Sequence, residues 1–117
     1  SSALLLKLLN LMPGVTINTD SNIGNHSIIN TNASIDHHNK LGNFVSIAPG
    51  VSTGGNVVIG SCSHIGIGSS IKHNISIKNN VVIGGGSYVC KSCNANSLFY
   101  GSPTIFIKKR KIDDTYL

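Results

Sequence analysis

Stepping through this chain six residues at a time from Ile17 returns Ile23, Ile29, Ile35, Leu41, Ile47, Thr53, Ile59, Ile65, Ile71, Ile77, Ile83 and Val89. Twelve of these thirteen positions are aliphatic and no step needs a gap. A second series runs two residues ahead of the first: Val15, Ser21, Ser27, Ala33, Asn39, Val45, Val51, Val57, Ser63, Ser69, Ile75, Val81 and Ser87. It is small or β-branched except at Asn39. An α-helix repeats every 3.6 residues and a plain strand every 2, so neither produces a period of six. A short strand plus a turn does, with one large and one small side chain pointing inward per unit. Glycine follows the large aliphatic at 24, 42, 60, 66 and 84, and Gly and Asn suit corners that need positive φ. Units of this kind wind into a solenoid with one continuous core.

The period resembles the hexapeptide repeat of left-handed parallel β-helices, in which three hexads close one triangular coil. The resemblance implies an all-β chain of about four coils over 15–90, with a cap over 1–14 and a cap plus basic tail over 91–117. The left hand is implied by the resemblance, since parallel crossovers are ordinarily right-handed. Leu5 and Leu11 continue the register backwards, although Leu4, Leu5, Leu8, Leu9 and Met12 also suit an amphipathic helix. Either arrangement covers the open first coil. After Val89 the pattern stops, and "SCNANSLFYGSPTIFIKKRK" is expected to leave the stack and cover its other end.

Three hexads make a coil of eighteen, so positions separated by eighteen stack directly, about 4.8 Å apart like neighbouring strands. His37 then lies under Gly55 and Gly55 under His73. Ser46 lies under His64, and Ile67 under Gly85.

Composition narrows the function classes. Charged residues make up 11% of the 117 residues, and the only acids are Asp20, Asp36, Asp113 and Asp114. The net charge of +5 comes mainly from "IKKRK" at 107–111, read as a solvated terminus. Without interleaved aromatics it does not point to nucleic acid. "ALLLKLLNLM" at 3–12 is too short, and interrupted by Lys7, to span a bilayer, and it lacks signal-peptide features. Cys62, Cys90 and Cys93 are an odd count, which fits a reducing, cytoplasmic compartment better than a disulfide framework. "CKSC" at 90–93 lacks the βαβ setting of a redox pair and reads as incidental thiols.

The chemistry-bearing stretch is "IDHHNKLG" at 35–42. His37 can act as a general base, because imidazole titrates near neutral pH. A glycine amide one coil away can approach a substrate carbonyl without obstruction, giving a small oxyanion site beside the base. Alternatively His37 and His73 are zinc ligands. The γ-class carbonic anhydrases share this solenoid and use a pair of histidines two coils apart with a third five positions on. His37 and His73 have that spacing, but position 78 is Lys78, and catalytic zinc takes three protein ligands. A third reading leaves His37 on an exposed turn, as expected for His26 and His73. His64 reads as structural, with ligand contact as its other role.

The stretch "INTNASIDHHNKLGNFVSIAPG" (29–50) resembles I-N-x-x-A-x-[IV]-[DE]-H-[DE]-x-x-[IL]-G-x-[FY]-x-H-[IV]-x-P-G. That is the pattern of hexapeptide acyltransferases of bacterial surface-sugar pathways, the sialic acid O-acetyltransferase and UDP-amino-sugar N-acetyltransferase group. "GGNVVIG" (54–60), "IGIGSSI" (65–71), "VVIGGGSYV" (81–89) and "YGSP" (100–103) are similar to further segments. The resemblance implies a cytoplasmic homotrimer that moves an acetyl group from acetyl-CoA to an amino or hydroxyl group of a sugar or nucleotide-sugar, with no metal. It assigns the base to His37 and the acetyl-carbonyl contact to Gly55. Ile67 and Gly85 would contact the pantetheine arm, and Ser46, with His64 above it, would sit at the cofactor. These positions are expected to share one face. Two departures stand out. The acid that follows the base is His38 here, leaving Asp36 as the nearby carboxylate, and a protonated His38 would lower the basicity of His37. The second histidine of the pattern is Ser46. These departures motivate the alternative of a non-catalytic trimeric scaffold or binding module. The family also carries an N-terminal α/β subdomain that grips the nucleotide-sugar. This sequence begins at the solenoid, which is expected of a fragment or of a short form with a different acceptor.

Overall fold

The computed structural model describes residues 9–115. The chain winds into a left-handed parallel β-helix of about 5 turns. Its first face is built from the strands Leu9–Leu11, Ser27–Ile29, Ser46–Ile47, His64–Ile65 and Val81–Ile83. The second carries Thr16–Ile17, Ser34–Ile35, Ser52–Thr53, Ser70–Ile71 and Tyr88–Val89; the third carries Asn22–Ile23, Lys40–Leu41, Val58–Ile59 and Ser76–Ile77. Partners within these rungs are separated by three hexads, as in Ser46 with His64 and Ser34 with Ser52.

The large aliphatic series is the core. Ile29, Ile35, Ile47, Ile65, Ile77, Ile83 and Val89 are fully buried. Thr53, the series' one polar member, is 7% exposed, and its Oγ1 accepts the Asp36 amide at 3.0 Å. The serines of the small series tie successive coils together. Ser21, Ser27, Ser63 and Ser69 each donate to a carbonyl fifteen positions ahead and accept an amide eighteen ahead, at 2.7–3.2 Å. Buried hydroxyls are thereby satisfied, as a dry core requires.

The corners follow a third series of six. Every position from 14 to 86 in steps of six has positive φ: Gly14, Asp20, His26, Asn32, His38, Phe44, Gly50, Asn56, Cys62, Gly68, Asn74, Asn80 and Gly86. The glycines after the large aliphatics have another purpose. A Cβ on Gly24 would lie 2.4 Å from the Gly42 carbonyl oxygen, and one on Gly42 would lie 2.5 Å from Ser61 Oγ. They allow close approach between coils, and positive φ falls elsewhere.

At the N-terminal end the structure takes one of the two expected arrangements, and at the C-terminal end it departs from expectation. Leu11 continues the register: Leu9–Leu11 is a strand paired with Ser27–Ile29, and residues 9–11 do not form the helix that Leu9 also suited. An exposed coil edge offers unpaired backbone groups that a strand satisfies and an isolated helical turn would not. Leu4 to Leu8 lie outside the described residues. At the other end the stack continues past Val89 with a shortened step. Ile77 pairs with Cys93 and Val81 with Ser97, in each case two positions short of a full coil. Ser97–Gly101 extends the first face in parallel, and Thr104–Lys109 folds back on it antiparallel through the cis Ser102–Pro103 bond. The basic tail is only partly solvated. Arg110 is 7% exposed and donates to Asn80 Oδ1 and, at 2.7 Å, to the Asp114 carbonyl. No helix among the described residues is long and apolar enough to cross a membrane.

Candidate active site

The corner between the second and third faces brings together Asp20, Asp36, His37 and His38. His37 and His38 fall between Ser34–Ile35 and Lys40–Leu41, and Gly55 and Asn56 lie one coil above, between Ser52–Thr53 and Val58–Ile59. The positive φ of His38, 56°, belongs to the corner that turns the chain from the second face onto the third. The Asn56 amide donates to the His37 carbonyl at 3.0 Å. Asn39, fully buried, clamps the same turn from inside: its Nδ2 donates to the carbonyls of His37 at 3.1 Å and Gly54 at 2.9 Å. Its place in the small series is thus taken by an amide that reaches two carbonyls where a serine reaches one.

The His37 imidazole lies across the space that a side chain on Gly55 would fill. A Cβ there would be 2.5 Å from both Nε2 and Cε1 of His37. The Gly55 carbonyl accepts the Asn74 amide at 2.9 Å, whereas its own N–H has no acceptor among the described residues. An unclaimed amide beside an exposed imidazole suits the recognition of a carbonyl oxygen.

Nδ1 of His37 lies 3.1 Å from Nδ1 of His38, so one nitrogen donates and the other accepts. On the far side of His38, Nε2 is 3.5 Å from Oδ2 of Asp20. Asp36 has a different task. Its Oδ1 accepts the His37 amide at 2.7 Å and the Asn18 side-chain amide at 3.2 Å. The His37 amide bond is the main reason its carboxyl sits below the ordinary 3.8, opposed by desolvation and helped by Asn18 and by the His37 charge. Its hydrogen bonds therefore cap the turn backbone. Among the described residues, the only side chain bonded to the His37 ring is His38.

The remaining expected positions form stacked pairs at other places. Nδ1 of His64 is 3.0 Å from Ser46 Oγ on the first face. Burial, and secondarily the Arg110 charge, hold the His64 imidazole below its ordinary value of 6.5. Gly85 stacks on Ile67, with a Cβ there 3.0 Å from Ile67 Cγ2, and the Gly86 amide donates to the Ile67 carbonyl at 2.7 Å. This pair occupies the corner between the first and second faces. The expectation that all these residues share one face is corrected: 67 and 37 differ by five hexads, and with three hexads to a coil that leads to another corner. The nearby acid that motif spacing misses is Asp20. It stands one full coil before His38, so the same stacking arithmetic locates it.

His26 and His73 are exposed on their corners, His26 stacked on Phe44 with ring centroids 4.9 Å apart. Among the described residues no three His, Cys, Asp or Glu side chains converge as a metal site. The three cysteines are free thiols. A hollow of about 280 Å³ on the third face, lined by Val58, Gly60, Lys78 and Ala95 among others, does not include the His37 corner.

No family model matches the sequence. The structural neighbours are hexapeptide-repeat acetyltransferases. A mutant of perosamine N-acetyltransferase from Caulobacter crescentus, solved in complex with CoA and GDP-perosamine, superposes with a TM-score of 0.81 at 28% identity, covering 87% of this chain and 51% of that one. A maltose O-acetyltransferase from Clostridium difficile gives 0.77 at 26% identity, over 88% of this chain and 67% of its own. The acetyltransferase domain of PglB from Neisseria gonorrhoeae in complex with acetyl coenzyme A gives 0.69 at 26% identity, over 91% and 61%. The chain thus spans about half the length of the Caulobacter protein.

Proposed function

We propose that this solenoid transfers an acetyl group from acetyl-CoA to an amino or hydroxyl group of a sugar or nucleotide-sugar. The observation that carries the reading is the His37 imidazole lying against Gly55, whose N–H is unclaimed among the described residues. As the acceptor attacks the thioester carbonyl, its N–H or O–H proton passes to Nε2 of His37. Negative charge grows on the carbonyl oxygen, and the Gly55 amide donates to it. The tetrahedral intermediate collapses with cleavage of the C–S bond. The thiolate of CoA leaves and recovers the proton from His37, returning the base to its starting form.

The ligand contacts require more than one copy of the chain. His37 and Gly55 occupy one corner, Ile67 and Gly85 another, and Ser46 with His64 a face. A single coil cannot turn all three towards one molecule, but a neighbouring subunit can lay its corner alongside. A homotrimer places acetyl-CoA between two solenoids, with Ser46, His64, Ile67 and Gly85 along the cofactor. The likeness to enzymes solved with CoA supports that assignment. Three free thiols and the use of acetyl-CoA fit a cytoplasmic protein.

The test is release of free thiol from acetyl-CoA with a panel of amino sugars and nucleotide-sugars, comparing wild type with His37→Ala. Loss of a general base is expected to lower kcat by about 10²–10⁴. Equal rates for the two proteins would remove His37 from the role. The imidazole at position 38 favours a second reading, a binding module without turnover. That reading predicts acetyl-CoA binding with no acetyl product on any acceptor.

A further inference from the structure

Asp20 and His38 hold the same corner in successive coils, with φ of 60° and 56°. Oδ2 of Asp20 lies 3.5 Å from Nε2 of His38. The other nitrogen of His38 faces Nδ1 of His37 at 3.1 Å. The order across the corner is therefore carboxylate, imidazole, imidazole, and then the space over Gly55.

We infer that Asp20 is a positioning residue for His37, acting through His38. An ionised carboxylate only accepts, so it favours the neutral His38 tautomer with its proton on Nε2. His38 then offers Nδ1 as an acceptor. In the 3.1 Å contact the donor must be His37 Nδ1–H, which leaves the lone pair of His37 on Nε2, the atom beside Gly55. With the opposite arrangement His38 donates from Nδ1, and His37 carries its proton on Nε2 and cannot act as a base there. Asp36 does not take this place: its Oδ1 accepts the His37 amide and Asn18, and among the described residues the ring of His37 is bonded to His38 and not to this carboxylate. Asp114 is in the C-terminal segment, where Oδ2 accepts the Lys111 amide. This inference rests on the proposal that His37 is the base, and it replaces a direct acid with a relay of two residues.

Because both side chains of the outer pair are more than half exposed, 54% and 69%, the effect is smaller than for a buried triad aspartate. Asp20→Asn keeps a residue suited to positive φ, and Asp20→Gly keeps the corner while removing every acceptor. Protein labelled with ¹⁵N-histidine reports the tautomers directly in imidazole ¹⁵N spectra. In wild type His37 is expected as Nδ1–H and His38 as Nε2–H. Both variants are expected to shift His37 towards Nε2–H and to lower kcat about tenfold, with KM for acetyl-CoA unchanged, whereas Asp20→Glu retains both properties. His38→Glu places a carboxylate next to the base, and in that background Asp20→Asn is expected to have no effect on kcat, a non-additive cycle. An unchanged His37 tautomer in Asp20→Asn and Asp20→Gly overturns the relay. Absence of acetyl transfer by wild type, with the tautomers as expected, instead overturns the catalytic role of His37 and leaves the relay standing.

Discussion

The imidazole of His37 occupies the volume that a side chain on Gly55 would need: a Cβ there would fall 2.5 Å from Nε2 and Cε1. Two stacked residues thus share one space, which the chain provides by omitting a side chain from one of them. The same omission serves a different purpose at Gly42, where the obstructing atoms belong to Ser61 of the next coil, including its backbone nitrogen at 2.7 Å.

These two glycines should separate activity from stability. In Gly55→Ala the new methyl meets the end of an exposed side chain, which can swing away. Unfolding free energy is expected to change by less than about 1 kcal/mol, while the proposed acetyl transfer is expected to fall by about two orders of magnitude as the proposed base is displaced. In Gly42→Ala the methyl meets backbone, so a loss of about 1–3 kcal/mol is expected from overpacking. Denaturant unfolding read beside thiol release checks both. A Gly55→Ala enzyme with full activity would show that the space over Gly55 is not used.

Asn39 is the internal clamp of the same turn. Removing its amide in Asn39→Ala strands the Gly54 carbonyl, while the His37 carbonyl keeps the Asn56 amide, and this should cost about 1–3 kcal/mol. Asn39→Ser restores the bond that Ser21, Ser27, Ser63 and Ser69 make to the carbonyl fifteen positions ahead. It should recover most of the loss. Thermal unfolding of the two variants decides this, and equal destabilisation would mean that the amide's second bond, to His37, carries the effect.

The core was legible because burial selects side chains: a fully buried Ile47 or Ile65 cannot be exchanged for a polar residue, so the period of six is written in hydrophobicity. The corner series was not. Positive φ is a backbone property, and Asp20, His26, Phe44 and Cys62 share it while sharing no chemistry. The turn-forming Asn and Gly marked only part of it. Stacking predicted the contact of His37 with Gly55, since that follows from counting hexads in threes. The contact of Asp20 with His38 was not legible from motif spacing, which points to Asp36 beside His37, because the carboxylate stands one coil before His38. The shortened last step, Ile77 to Cys93, was hidden because a two-residue deletion breaks the period.

Cys93 is buried and its thiol is pushed up to about 11 by desolvation. Reactivity follows the thiolate, so this thiol should be inert at neutral pH. Cys62 and Cys90 are half-buried. Labelling of the folded protein with a chromogenic disulfide is expected to modify Cys93 at least about tenfold more slowly than either of the others, and at equal rates only after unfolding. Mass mapping of the labelled peptides reads this out. Early modification of Cys93 would contradict its place inside the last coil.

His64 gives the fold a pH dependence with a definite sign. Its imidazole is held below 6.5 by burial first and by the Arg110 charge second. The unfolded chain therefore takes up a proton at this residue before the native protein does. Above about 6.5 both states are neutral at this residue and stability is unaffected by it. As pH falls through 6.5 the unfolded state binds more protons, and by linkage the native state loses stability until the folded value is reached. His64→Gln retains a polar partner for Ser46 without the titration. Its unfolding free energy should vary less with pH over the interval just below 6.5 than that of wild type. Arg110→Gln in the wild-type background should narrow the interval, since the like charge is removed and only burial remains. Parallel slopes for wild type and His64→Gln would place the titrating group elsewhere.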